Sequence, residues 1–294
     1  MLDEDRDGAR GDGCAVPTEA PATWRAVLAV RRAVDAGDAP SLTGDPAPGA
    51  AARGATGRPS PNAAALPDLL LGLALTSRKH GFVLGVLGQT LDGYIATPAG
   101  ESRGLNGPAG LAYLHRLRAL SDAVLVGAAT AVLDRPRLTT RLAEGPNPTR
   151  VVIDPNGRLP PDSPLLRDGE APTVVVRAGE EAAGDERLTD QARVVRVPPE
   201  DGELPPARVL GALRARGLAR VLVEGGGDTV SRFLAAGALD RLQLLVAPVL
   251  LGAGRPAVRL RRPPGRLADA PRPPGAQHLL GDGDVLFDLR LRAR

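Results

Sequence analysis

The chain has 294 residues, 43% hydrophobic and 24% charged, enough for one large domain or two small ones. Its formal charge of +3 rests on 37 basic against 34 acidic residues, the basic ones almost all arginines scattered among the acids; with aromatics at 2%, this describes a solvated surface and argues against nucleic acid as a partner. A single cysteine, Cys14, rules out an intrachain disulfide or a multi-cysteine metal site, no apolar run is long enough to cross a membrane, and the start MLDEDRDGARGDG is unlike a signal peptide, so a cytoplasmic protein without a metal is expected.

In chain order, TWRAVLAVRRAVDAG (23–37) carries Val27, Leu28, Val30 and Val34 near helical spacing and predicts one short amphipathic helix, for which the sequence offers no evident partner. Residues 36–62 are dominated by Ala, Gly and Pro and hold almost nothing to bury, which reads as a linker or disordered arm. The expected division is therefore a poorly ordered arm over 1–80 and one folded domain over 81–294.

Within that domain, short runs rich in Val, Leu and Ile recur at 82–88, 123–127, 150–154, 173–176, 193–197, 220–224, 241–251 and 284–291. Several are apolar on consecutive residues, as expected of strands covered on both faces. Helical spacing appears in PAGLAYLHRLRALS (108–121), at Leu111, Leu114, Leu117 and Leu120, and in PARVLGALRARG (206–217), at Val209, Leu210 and Leu213. Alternating strands and helices predict a mostly parallel α/β sheet. The proline-rich 263–277 cannot supply a helix, so the chain is expected to close with an antiparallel strand or hairpin at a sheet edge.

The segment VLVEGGGDTVSRFL (221–234) joins a strand, three glycines and a helix that Asp228 or Thr229 is placed to cap. Gly225, Gly226 and Gly227 before a helix start suit a phosphate, yet the pattern is neither G-x-G-x-x-G nor a Walker loop, and a tight turn with no ligand reads the same way. Glu224, at the carboxyl end of its strand, is expected to face the crevice where open α/β sheets bind ligands; the alternative is a capping or salt-bridged glutamate.

Taken together, GQTLDGYIATPAGESRGLNGPAGLAYLHRLRALSDAVLVGAATAVLDRPRLTTR, RVVIDPNGRLP, the glycine segment through VAPVLLGAGRP, and DVLFDLRL resemble the C-terminal reductase domain of the bacterial riboflavin-biosynthesis deaminase–reductase, over nearly all of 82–291. The resemblance implies a dihydrofolate-reductase-like fold, a three-layer α/β/α arrangement with a mostly parallel mixed sheet and an antiparallel C-terminal strand. It also implies reduction by NADPH of the ribosyl group of a 5-amino-6-(phosphoribosylamino)pyrimidine to the ribityl chain, in a homodimer. Residues 1–80 hold only Cys14 and His80 of the zinc-ligand types Cys and His, so no deaminase site is expected there.

By the same resemblance, Gly88, Thr130 and Asp134 match cofactor positions, and Ser102, Arg118, Leu138 and Arg141 match substrate positions. The glycines with Asp228 and Thr229 would cradle the cofactor's phosphates, and Arg177, on position alone, would meet the 2′-phosphate. Glu224 and Asp134 are the expected carriers of the proton, with Glu224 also on the substrate side. Three positions depart from the family pattern. Gly104 stands in place of Trp, Tyr94 where a Lys or Arg usually follows the TLDG turn, and Arg135 within the usual Asp-Asp-Pro. Two other readings stay open: a related reductase acting on another pteridine or pyrimidine, and a catalytically silent nucleotide-binding protein.

Overall fold

A computed structural model describes residues 21–38, 65–180 and 184–292; Cys14 and most of the 36–62 linker lie outside the described residues. The strands are β1 (Phe82–Thr90), β2 (Tyr94–Ala96), β3 (Ala123–Gly127), β4 (Thr149–Ile153), β5 (Thr173–Ala178), β6 (Glu186–Arg187), β7 (Ala192–Val197), β8 (Arg220–Val223), β9 (Arg241–Ala247), β10 (Arg255–Pro256), β11 (Gly275–Leu279) and β12 (Val285–Arg290). The helices are α1 (Pro21–Ala36), α2 (Ala65–Ala74), α3 (Pro108–Leu120), α4 (Ala128–Leu133), α5 (Pro164–Arg167), α6 (Pro206–Arg214) and α7 (Gly227–Ala235).

Ten strands form one sheet in the order β11-β12-β9-β1-β8-β3-β4-β5-β7-β6. From β9 to β7 neighbours run parallel, while β12, β11 and β6 are antiparallel additions, the β11–β12 hairpin closing the edge as the proline-rich connection predicts. The two-residue β10 lies apart, paired with β2.

Alternation along the strands supplies two cores. Leu84 and Val86 of β1 face Trp24, Leu28, Leu70, Leu114 and Leu117 from α1, α2 and α3. Val83 and Leu87, on the other face, join Val209 and Leu213 of α6 with Val230 and Phe233 of α7. Helices thus cover both faces, giving the expected three layers and explaining the consecutive apolar residues in the central strands.

The partner of the first helix is the core of the sheet domain itself. Trp24 is 4% exposed and its Nε1 donates to the Glu144 carbonyl at 3.0 Å. The expectation of a poorly ordered arm is corrected over its described part: α1 and the unanticipated α2 are packed elements, since their apolar faces finish a core that the sheet alone leaves open.

Ions lock the same junction. Asp122, just before β3, accepts from Arg220 Nη2 at 2.6 Å, Arg78 Nε at 3.1 Å and Arg31 Nη2 at 3.3 Å, and Asp35 of α1 lies 2.8 Å from Arg220 Nη1.

Candidate active site

At the carboxyl ends of β3 and β8 two helices begin almost in contact. Helix α4 starts from Gly127 and α7 from Gly226, and no side chain caps either one. The expectation that Asp228 or Thr229 caps α7 is corrected: both lie inside the first turn, and the Thr229 N–H donates to the Gly226 carbonyl at 2.9 Å. The glycines instead allow the two helix starts to interlock. The Gly226 N–H donates to Thr130 Oγ1 at 3.0 Å, and a Cβ on Gly127 or Gly225 would stand 2.5 Å from the Thr229 side chain. A Cβ on Gly227 would strike the carbonyl oxygens of Pro256 and Ala257.

In front of these helix starts lies a cavity of about 550 Å³. Of the sequence-predicted residues, Ser102, Thr130, Asp134, Gly226, Gly227, Asp228 and Thr229 line it. Gly88 does not, being held within β1 opposite Leu245 of β9, and Gly225 lies behind the lining. Arg177 is also absent from the wall: its guanidinium packs beside Gly157, and Arg158 lines the cavity in its place. The turn that presents Arg158 is built by the fully buried Asp154, which accepts the N–H groups of Arg158 and Leu159 at 2.8 and 2.9 Å.

The rim is rich in guanidinium groups. Arg232 pairs with Glu203 at 3.2 Å, and Arg261, bonded to the same carboxylate, holds Glu203 below the usual carboxylate range. Arg158, Arg255 and Arg259 line the cavity with no side-chain hydrogen bond or ion pair among the described residues. Burial pushes the Asp134 carboxyl up, against the pull of Arg255 and Arg103. Two uncapped helix starts and three unpaired cations make the cavity receptive to phosphate groups, and Asp134 is suited to keep a proton to higher pH than an ordinary aspartate.

A second group of the expected residues gathers elsewhere. Arg118, fully buried in α3, places Nε and Nη2 2.8 and 2.7 Å from the two oxygens of Glu224, and its Nη1 donates to the Thr139 carbonyl at 2.9 Å. His115 Nδ1 accepts the N–H groups of Arg141 and Leu142 at 2.9 and 3.2 Å, so that ring nitrogen carries no proton. The expectation that Glu224 turns to the crevice is corrected, because Arg118 takes up both of its oxygens; the salt-bridged alternative holds. Leu138 is 0% exposed within the core, at a left-handed φ of 58°, and neither it nor Arg141 lines the cavity.

Comparison with known proteins places this architecture. Residues 82–269 match the model of the RibD C-terminal domain. The chain belongs to that family. A 2,5-diamino-6-ribosylamino-4(3H)-pyrimidinone 5′-phosphate reductase of Methanothermobacter thermautotrophicus is 38% identical over 174 residues, covering 57% of this chain and 77% of that protein. The riboflavin biosynthesis protein RibD of Mycobacterium tuberculosis is 36% identical over 173 residues; the match covers 58% of this chain but only 42% of that longer protein. Among solved structures, a diaminohydroxyphosphoribosylaminopyrimidine deaminase/5-amino-6-(5-phosphoribosylamino)uracil reductase from Thermotoga maritima is 27% identical with a TM-score of 0.62, over 77% of this chain and 62% of that one.

Helices α1 and α2 lie ahead of the residues that match the RibD C-terminal domain. Within this RibD C-terminal domain the three departures have distinct surroundings. Gly104 adopts φ 69°, and among the described residues no atom beyond its own chain neighbours stands within 4 Å of its Cβ position. Arg135 turns outward to Asp162, at 3.2 Å, and adds no charge to the cavity. Tyr94 packs over Gly254 beside β10, whose Arg255 does reach the cavity. Sequence reading missed Arg158, Arg255 and Arg259, which sit in turns and a two-residue strand without periodicity; the only usable signal was the PNGR turn ahead of Arg158.

Proposed function

We propose that this chain uses NADPH to reduce the ribosyl group of a 5-amino-6-(5-phosphoribosylamino)uracil-type pyrimidine, or the related 2,5-diamino-6-ribosylamino-4(3H)-pyrimidinone 5′-phosphate, to the ribityl chain. The supporting observation is the cavity in which the α4 and α7 starts, the unpaired Arg158 and Arg259 and the raised Asp134 converge. When bound, the cofactor supplies a hydride to C1 of the ring-opened, imine-like sugar.

The residues of the chain do the rest. Gly226 and Thr229 line the cavity at the α7 start, where the cofactor's pyrophosphate would lie. Arg158 and Arg259 replace Arg177 as the cations for the adenosine phosphate. Asp134 provides the proton that accompanies the hydride, a role that the ion-paired Glu224 leaves to it. Glu224 and Arg118 hold the Thr139–Leu142 segment in shape through the Thr139 carbonyl and His115.

The test is purified protein with NADPH and each ribosylaminopyrimidine 5′-phosphate, followed by loss of NADPH absorbance and by mass of the product. Turnover with a pterin instead favours the related-reductase reading, for which the open Gly104 position is the specific support. NADPH binding with flat absorbance on every substrate removes the enzymatic reading altogether.

A further inference from the structure

We propose that Arg255 is a specificity-determining residue, anchoring the 5′-phosphate of the sugar substrate; this rests on the reductase reading above. Most guanidinium groups at functional or buried positions in this chain are already engaged: Arg118 by Glu224, Arg150 by Asp168, Arg220 by Asp122 and Arg232 by Glu203. Arg255 is exposed, lines the cavity, and has no hydrogen bond or ion pair among the described residues. An unpaired cation at the wall of a concave site awaits an anion, and a guanidinium suits phosphate through paired N–H donors.

The fold makes room for this one side chain. Strand β10 pairs antiparallel with β2, setting Pro256 opposite Tyr94 and Arg255 opposite Ala96, a lining residue. From there the guanidinium lies over the turn at Gly100. A Cβ on Gly100 would stand 2.6 Å from Nη2 and 2.9 Å from Cζ, so any side chain at position 100 would evict the group. Gly100 itself sits at φ 96°, where glycine is favoured. Tyr94 contributes from the same strand pair: its ring packs on Gly254, 3.1 Å from where a Cβ would be, and so seats the residue just before Arg255.

Its neighbours divide the cavity into two anionic subsites. Arg259 follows Ala257 toward α7, and its backbone N–H donates to Ser231 Oγ of that helix at 2.8 Å, on the side assigned to the cofactor. Arg255 lies on the β2 side, with Gly100 and Ser102 in the same wall and its charge felt by the Asp134 carboxyl. A sugar phosphate held at Arg255 therefore stays beside the group that supplies the proton.

The test compares wild type, Arg255→Gln and Arg255→Lys, with Arg259→Gln as the cofactor-side control. Position 255 is exposed, so these variants keep the fold. Losing one charge-assisted contact to phosphate should cost about tenfold to a hundredfold in affinity. By calorimetry, ribose 5-phosphate should bind the wild type, bind Arg255→Gln more weakly by that factor, and recover in part with Arg255→Lys, while NADPH affinity falls only in Arg259→Gln. In turnover, Arg255→Gln should raise KM for the phosphorylated pyrimidine and leave KM for the dephosphorylated riboside unchanged. Equal ribose 5-phosphate binding by wild type and Arg255→Gln, or a loss confined to NADPH affinity, overturns the assignment. Wild type that binds ribose 5-phosphate through Arg255 yet never oxidises NADPH would instead sink the reductase reading and leave the anchor standing.

Discussion

At the scale of residues, adjacent glycines in one loop perform different tasks. A methyl group on Gly226 would press on Thr130 Oγ1 from 3.2 Å at the cavity wall, whereas one on Gly227 would run into two backbone carbonyls. Gly226→Ala should therefore weaken NADPH binding with little change in melting temperature. Gly227→Ala should destabilise the fold by about 1–3 kcal/mol, as overpacked sites do, seen by calorimetry without ligand. Equal effects of the two on melting would refute the division. On the proposed role of Asp134 as proton donor, this residue sets the expected pH dependence. Burial raises its carboxyl, so the acid form persists to higher pH than in an ordinary aspartate, and a step that consumes its proton should slow as pH rises through that raised value. In Asp134→Asn the rate should drop and this alkaline limb should vanish; a limb that survives assigns the proton to another group.

At the scale of elements, α1 offers a sharp test because it holds the only tryptophan in the chain. Trp24 is buried beneath the ring contact with Arg116, whose Cζ stands 5.6 Å from the ring centroid. Trp24→Ala should cost about 3–5 kcal/mol. In the wild type, tryptophan fluorescence and far-ultraviolet dichroism should report one coincident transition; fluorescence melting earlier would mean that α1 detaches alone. Periodicity found this helix from Val27, Leu28, Val30 and Val34 but could not name its partner, because docking is a property of the opposite surface. It found the central strands for the same reason that their apolar residues run together. It missed α2, whose apolar ALPDLLLGLA adjoins the Ala/Gly/Pro-rich tract, and β10, whose two residues have no pattern to read. In the site, the family resemblance pointed to Thr130 and Asp134, and the run of glycines before a helix start pointed to Gly226 and Gly227, all of which line the cavity. Pairing was invisible: nothing in the spelling of Glu224 and Arg118, 106 residues apart, says that they neutralise each other.

At the scale of the whole molecule, no helix among the described residues is long and apolar enough to cross a membrane. Leu91, Val249 and Leu250 are 60%, 37% and 73% exposed and lie together, joined by a Leu91 N–H to Val249 carbonyl bond of 2.9 Å. Pairing into a homodimer, expected from the family resemblance, would give a light-scattering mass near twice the chain's 30.3 kDa; a mass equal to one chain removes it. The molecule also has a polarity written across its centre. Strand β8 begins with a buried cation, Arg220, held by Asp122, and is followed by a buried anion, Glu224, held by Arg118. The counter-ions stand four positions apart, Arg118 in the last turn of α3 and Asp122 just before β3, in the same order of sign along the chain but paired crosswise. Inverting β8 would bring like charges face to face in a dry interior, and sliding it would strand them. The stretch RVLVE therefore carries its own address in the sheet, which an apolar strand of four residues could not specify by itself.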